Sequence, residues 1–375
     1  MNIVNAGSRY QVYGEDVQTF KELPIATYSI GYHQQMGFWL VKHNDLEVNE
    51  ERIYGSHSRK VDKVFNSFKL SERNFGIILS GKKGIGKSLF ARMIAEKAIE
   101  NDLPVIIVDT AIPGISDFLS SIEQEVVIIF DEFEKTFGKS GKDDSNDPQI
   151  ELLSLFDGID NGKKLFVITC NRVYDLNEFL VNRPGRFHYH FEIGCPTSDE
   201  VRDYLNDKLG SGYQEDIEKV VKLAQMSDIT YDCLRAIAFD LRQGYPLEET
   251  LLDLNINYEQ DVTFDITVRL TNGWQMTSYN RRVNLYSKEK TTISFRNDVG
   301  EFYLNFSPNK IQLVNNTLTL KGIDGTITAD WCAWDNKLSE DDAMRERENF
   351  NKNVRVESAT FTKVLTHGVA KYVDV

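Results

Sequence analysis

One eight-residue stretch, Gly81-Lys82-Lys83-Gly84-Ile85-Gly86-Lys87-Ser88, restricts the fold of this chain more than any other segment. It fits the pattern G-x-x-x-x-G-K-[ST] at every fixed position. The pattern gains meaning from what flanks it. Upstream, Phe75-Gly76-Ile77-Ile78-Leu79-Ser80 is a short apolar run that reads as a buried strand; downstream, Phe90, Met93, Ile94 and Ala98 recur at helical spacing. Strand, glycine loop and helix therefore follow in the required order. Glycines at 81, 84 and 86 allow the backbone to fold back with its N–H groups pointing inward, and the helix start adds its positive dipole end. Phosphate suits such a cradle. Lys87 is expected to reach terminal phosphates and Ser88 to join a magnesium shell, with Lys82, Lys83, Ile85 and Leu89 completing the loop and first helical turn. A glycine-rich turn packed only for shape is the competing reading.

Further apolar runs at 104–109, 126–130, 165–169 and 187–193 alternate with helical segments. Continuous rather than alternating hydrophobicity predicts an α/β fold, a parallel sheet covered on both faces. The third run, Val126-Val127-Ile128-Ile129-Phe130, delivers Asp131 and Glu132 at its end. An apolar strand does not need carboxylates. Asp131 is placed to hold magnesium through water and Glu132 to orient and deprotonate an attacking water, the two tasks of phosphoryl transfer to water. The fourth run ends in Thr169-Cys170-Asn171, which puts the Asn171 amide beside the same sheet edge, where it could fix the water or a γ-phosphate.

These residues reach a family. The segments Leu152-Leu153-Ser154-Leu155-Phe156-Asp157-Gly158, Val167-Ile168-Thr169-Cys170-Asn171-Arg172 and Asn182-Arg183-Pro184-Gly185-Arg186-Phe187 resemble the second region of homology of the AAA branch of AAA+ ATPases. The resemblance covers roughly residues 50–255. It implies that residues 81–88 act as Walker A, Asp131 and Glu132 as Walker B, Asn171 as sensor 1 and Arg186 as an arginine finger reaching a neighbouring subunit, with a surface salt bridge as the alternative for Arg186. A homo-oligomeric ring, usually a hexamer, with ATP and Mg2+ at each interface is the implied assembly. Where the family commonly continues with an acid and a second arginine, this chain has His188 and Tyr189, so a single finger carries over. Arg235 stands where many AAA+ proteins place a sensor 2 arginine, which the narrower AAA branch usually lacks, with a plain helix surface residue as its alternative; Tyr54 and Gly55 resemble the adenine-contacting lead-in, and Ile112-Pro113-Gly114 is the candidate for an axial pore loop, with a plain turn as its alternative. Residues 79–88 also resemble phage-encoded AAA proteins.

The remainder of the chain is read more coarsely. Residues 1–50 form a small aromatic-rich, β-containing module, 51–196 the large α/β subdomain, 197–256 a helical lid, and 257–375 a β-rich domain. Thr197 and Glu200 make a capping box that opens the helical part. Past Asn257 the pattern turns to period two, with Asn272-Gly273 as a hairpin signal. Strands are expected at 283–287, 291–296, 301–306, 311–320 and 326–334, with one charged helix at 339–349.

Composition narrows the partners. With 43 basic and 57 acidic residues the net charge is −14, which disfavours a large nucleic-acid footprint. Four cysteines, Cys170, Cys195, Cys233 and Cys332, form no C-x-x-C pair, so neither a zinc knuckle nor a disulfide framework is indicated, and a reducing cytoplasm fits best. No secretory leader and no apolar run of membrane-spanning length is expected. His188 and His190 lie two apart on a strand but have no evident third metal ligand, and the absence of H-E-x-x-H excludes a fused metalloprotease. The expected activity is Mg-dependent ATP hydrolysis that remodels a protein or protein assembly, through a protein substrate or adaptor. The alternatives are a nucleotide-dependent DNA motor or loader and a slow ATPase scaffold.

Overall fold

The computed structural model describes residues 1–6, 9–138, 148–157, 162–181, 186–256, 261–285, 287–297, 300–330 and 340–364. Most of the expected loop at 138–148, the residues 182–185, Gly158, Cys332 and the ends of the expected strand at 326–334 and helix at 339–349 lie outside the described residues. Two compact units result, Met1–Gly194 and Cys195–Val375.

In the first unit β1 (Asn2–Ala6) and β2 (Arg9–Tyr13) pair only with each other. The hairpin β3 (Thr27–His33) and β4 (Gly37–His43) follows, then α1 (His57–Leu70), which buries Val61, Val64, Phe65 and Phe68 on one face. Next come β5 (Phe75–Ser80), α2 (Lys87–Glu100), β6 (Val105–Val108), α3 (Ile115–Ser120), β7 (Val126–Phe130) and α4 (Phe133–Thr136). The unit ends with α5 (Pro148–Glu151), α6 (Leu153–Asp157), β8 (Lys164–Cys170), α7 (Glu178–Val181) and β9 (Tyr189–Glu192). The sheet order is β4-β3-β6-β7-β8-β5-β9. All neighbours are parallel except β3 and β4. The sheet is thus mixed and mostly parallel, as an α/β fold of this kind requires.

The β3–β4 hairpin corrects the expectation of a separate module at 1–50. Its first strand joins the central sheet, Thr27 opposite Val105 and Ser29 opposite Ile107, and buries Tyr28 and Ile30. Polar and apolar residues are interleaved here, because an edge hairpin is only half covered. The interior strands show no such mixture: β5, β7 and β8 are buried at every position. One face of the sheet packs against Phe133, Phe137, Leu155 and Phe156, with the Phe156 and Phe166 rings meeting edge to face at 4.9 Å.

Register then decides where chemistry can occur. Ser80 of β5 pairs with Cys170 of β8, and Phe130 of β7 with Ile168 of β8. The chain leaving β5, β7 and β8 therefore emerges at one edge, side by side. Crevices beyond the carboxyl ends of parallel strands are where ligands bind in open α/β sheets.

The second unit begins with α8 (Ser198–Leu209), opened by the Thr197/Glu200 capping box, and continues through α9 (Gln214–Met226), α10 (Tyr231–Gln243) and α11 (Leu247–Asp253). Strands β10 (Val262–Leu270) and β11 (Gln275–Val283) form the hairpin turned at Asn272-Gly273, where Gly273 has φ 85°. Then follow β12 (Thr291–Asn297), β13 (Gly300–Phe306), β14 (Gln312–Val314), β15 (Thr317–Lys321), β16 (Gly325–Asp330), α12 (Glu340–Asn353) and β17 (Val356–Lys363). They make an antiparallel sheet β11-β10-β17-β15-β14 and a second, β12-β13-β16.

Three expectations change. Residues 284, 285 and 287 are not strand, because β11 runs unbroken to Val283 and the chain then turns. The expected strand at 311–320 is a hairpin, broken where Asn315 and Asn316 both take positive φ, 47° and 61°. Asparagine is the side chain that tolerates this best after glycine. Strand β17, unread in the sequence, lies between β10 and β15.

Candidate functional site

The glycine loop takes the folded-back path its composition allows. Gly81 has φ 144°, and a Cβ there would collide with the Ile193 carbonyl oxygen, so only glycine fits. Its N–H donates to the Cys170 carbonyl at 3.2 Å, tying the loop to β8. Gly86, at φ 99°, turns the chain into α2, and Lys87 is that helix's first residue. Lys87 is only 8% exposed. Its ammonium donates to the Gly81 carbonyl at 2.6 Å, the Lys82 carbonyl at 2.7 Å and Asn171 Oδ1 at 3.0 Å. An ammonium has three N–H donors, and three acceptors from the loop and the end of β8 satisfy them. Burial pushes the Lys87 pKa below the ordinary lysine value, and Glu134, Cys170, Asp131 and Glu132 oppose that push in part.

The acids are organised by a residue that motif reading passes over. Thr169, fully buried in β8, donates its hydroxyl to Asp131 Oδ1 at 2.5 Å and accepts the Glu132 backbone N–H at 2.8 Å. One hydroxyl therefore fixes both neighbouring acids. Asp131 Oδ2 in turn accepts from Ser88 Oγ at 3.4 Å. Glu132 sits at φ 49°, ψ 49°, a left-handed conformation that disfavours a side chain with a Cβ. The turn hands the chain from β7 straight into α4. Lys135, three residues on, donates to Glu132 Oε2, and that hydrogen bond holds the Glu132 carboxyl below its usual value.

Asn171 faces two ways. Its backbone N–H and its Nδ2 both donate to Glu134 Oε1, at 2.9 and 2.5 Å, while its Oδ1 accepts from Lys87. Glu134 and Thr169 are thus built into the site although the motifs gave neither a role; their only signal is adjacency to Asp131, Glu132 and Asn171, where β7 and β8 end together.

The other expected positions are less uniform. Lys82 and Lys83 are exposed, Ile85 is buried, and Leu89 is half-buried beside the first turn. Tyr54, with the Arg52 guanidinium 5.1 Å from its ring centre, and Gly55, at φ 75°, lead into α1. The imidazole that follows, His57, approaches the loop: a Cβ on Gly86 would lie 3.4 Å from its Nε2. That brings the lead-in segment to the glycine loop. Arg186 is 6% exposed and engaged by its own chain, its Nε and Nη2 meeting Asp157 at 2.5 and 2.6 Å and its Nη1 the Phe179 carbonyl at 2.6 Å. Arg235 belongs to the second unit, where its mostly exposed side chain stands 3.9 Å from Asp232 on the same helix. Ile112-Pro113-Gly114 is a turn closed by the Ile115 N–H on the Ile112 carbonyl at 3.1 Å. His190 Nε2 is 2.7 Å from Ser80 Oγ, and the His188 ring lies against Phe75 at 4.9 Å. Among the described residues, no group of three or more His, Cys, Asp or Glu side chains could hold a metal, and no helix is long and apolar enough to cross a membrane.

Residues 77–195 match the family model described as "ATPase family associated with various cellular activities (AAA)". Similar proteins include the 26S proteasome regulatory subunit 10B homolog A of Arabidopsis thaliana, 31% identical over 47% of this chain and 50% of its own length. The vesicular-fusion protein SEC18 of Candida albicans is 29% identical over 34% of this chain and 19% of its own length. The human peroxisomal ATPase PEX1 is 24% identical over 57% of this chain and 18% of its own length. The chain spans about half the length of the proteasomal relatives it matches, and less of the others. Residues 77–195 are thus an AAA ATPase domain, with homologues among AAA proteins.

Proposed function

We propose that the chain is an ATP-hydrolysing AAA machine that remodels a protein or protein assembly. The observation that carries the reading is the convergence of Lys87, Ser88, Asp131, Glu132 and Asn171 at the carboxyl ends of β5, β7 and β8, linked by Thr169. In this proposal Lys87 leaves its three oxygen acceptors for the β- and γ-phosphates, and the N–H groups of residues 81–88 cradle them. Ser88 and Asp131, a hydroxyl and a carboxylate within 3.4 Å, are the hard oxygen donors that suit Mg2+. When bound, the ion would neutralise charge on the phosphate oxygens. Glu132, released from Lys135, takes the proton of the attacking water, and Asn171 orients that water or the γ-phosphate.

Arg186 is proposed as the finger for a neighbouring copy in a ring, which requires assembly to exchange Asp157 and the Phe179 carbonyl for a phosphate. Such a cation is worth ~10³–10⁵ in rate in phosphoryl transfer. Arg235, the helices from α8 to α11 as a lid, and Tyr54 and Gly55 as adenine contacts belong to the same proposal. Remodelling of protein is favoured over a DNA motor by the net charge of −14 and by relatives named as a proteasome regulatory subunit, a vesicular-fusion protein and a peroxisomal ATPase. The test is to trap the Glu132→Gln protein with ATP, size it, and identify what it retains. An ATP-dependent oligomer holding protein is the expected result; a trapped monomer that retains no protein, together with wild-type hydrolysis that rises only with DNA, would overturn the remodelling reading.

A further inference from the structure

Asn171 can make its contacts in one amide orientation only. Its oxygen meets the Lys87 ammonium at 3.0 Å and its nitrogen meets Glu134 Oε1 at 2.5 Å. Turning the amide over would set N–H against ammonium and oxygen against carboxylate, both repulsive. Glu134 also takes the Asn171 backbone N–H at 2.9 Å, so side chain and main chain are gripped by one oxygen. The second oxygen, Oε2, is buried with no hydrogen-bond partner among the described residues. Leaving a carboxylate oxygen unpaired in the interior is unfavourable, and a brace for two N–H groups needs only one acceptor. A residue placed here at that cost is positioned for more than packing.

We propose that Glu134 is a positioning residue for the hydrolysis proposed above: it fixes the Asn171 amide with its oxygen toward Lys87 and the phosphate site. The inference rests on the ATPase reading. When Lys87 turns to a bound phosphate, Asn171 Oδ1 loses its donor but keeps its place, because Glu134 still holds the nitrogen. The freed oxygen then faces the reacting end of the site as an acceptor for water.

The full chain tests this, with ATP turnover and the Kd of a fluorescent ATP analogue measured in parallel. Glu134→Ala is expected to lower kcat by at least ~tenfold while the Kd moves less than ~threefold, the signature of lost orientation rather than lost binding. Glu134→Gln keeps an acceptor for the same two N–H groups, so its kcat is expected within ~threefold of wild type. Because Glu134 acts through Asn171, adding Glu134→Ala to Asn171→Ala should change kcat by less than ~twofold, a non-additive pair. Wild-type turnover in Glu134→Ala, additive losses in the double variant, or a folded Glu134→Gln as slow as Glu134→Ala would each overturn the inference. Should Glu134→Ala fail to fold, Glu134→Gln decides alone: near-wild-type turnover supports the proposal and a ~tenfold loss overturns it. No hydrolysis by the wild type would instead remove the ATPase reading itself, so the two failures are distinct.

Discussion

Replacing Thr169 by Val removes a hydroxyl and leaves almost the same volume, so no cavity confuses the result. The lost hydroxyl donates to a carboxylate at 2.5 Å and accepts the Glu132 N–H at 2.8 Å. A hydrogen bond to a charged group contributes ~1.5–3 kcal/mol, and an orphaned donor costs ~1–3 kcal/mol. Because both effects share one oxygen, a combined loss of roughly 2–4 kcal/mol is expected. For a unit of this size that lowers the melting temperature by roughly 5–15 °C. Thr169→Ser keeps the hydroxyl and gives up one methyl group, ~1 kcal/mol. Calorimetry on nucleotide-free protein, following the transition that ATP shifts, measures both variants, and turnover is read alongside. The Val variant should be the less stable and also slow, since Glu132 would no longer be held in its left-handed turn. A Val variant as stable and as active as the Ser variant would refute the idea that this hydroxyl organises the acids.

Other outcomes follow from the same geometry. Burial depresses the Lys87 pKa, and its protonated form binds phosphate; ATP affinity should therefore fall as pH rises through that depressed value, at lower pH than for an ordinary lysine. Isothermal titration in buffers of different ionisation enthalpy would show the accompanying proton uptake. Cys170 is fully buried and its thiol is pushed up to about 12, so mass spectrometry after alkylation at pH 8 should find Cys195 and Cys233 modified well before Cys170. Arg186→Ala leaves Asp157 without its bidentate partner and should destabilise the first unit by ~3–5 kcal/mol, measured by denaturant unfolding, whatever it does to turnover. A change under ~1 kcal/mol would refute the partly buried pair as a structural element.

Legibility in the sequence tracked burial. Strands β5, β7 and β8 are covered on both sides, so their residues are apolar almost without interruption and their positions could be read directly. Their ends carried Lys87, Asp131 and Asn171 to one edge, which the pattern also anticipated. The β3–β4 hairpin was harder because an edge is half solvated and its aromatic residues mimic a separate module. The Asn315-Asn316 turn hid inside what looked like one strand, since positive φ leaves no mark on hydrophobic periodicity. Strand β17 pairs with β10 across a register shift at Arg269/Leu270, a long-range arrangement with no local signature. Within the site, motif residues were visible because their chemistry is unusual for their setting. Thr169 and Glu134 were not, because their work depends on partners 38 and 37 residues away in the chain.

The most direct test of the account is the rate of Mg2+-dependent ATP hydrolysis by Glu132→Gln beside wild type, with ATP binding measured on both. Removing a general base typically costs ~10²–10⁴ in rate. ATP binding should be unchanged and turnover reduced by that order. Equal turnover in the two proteins would contradict it.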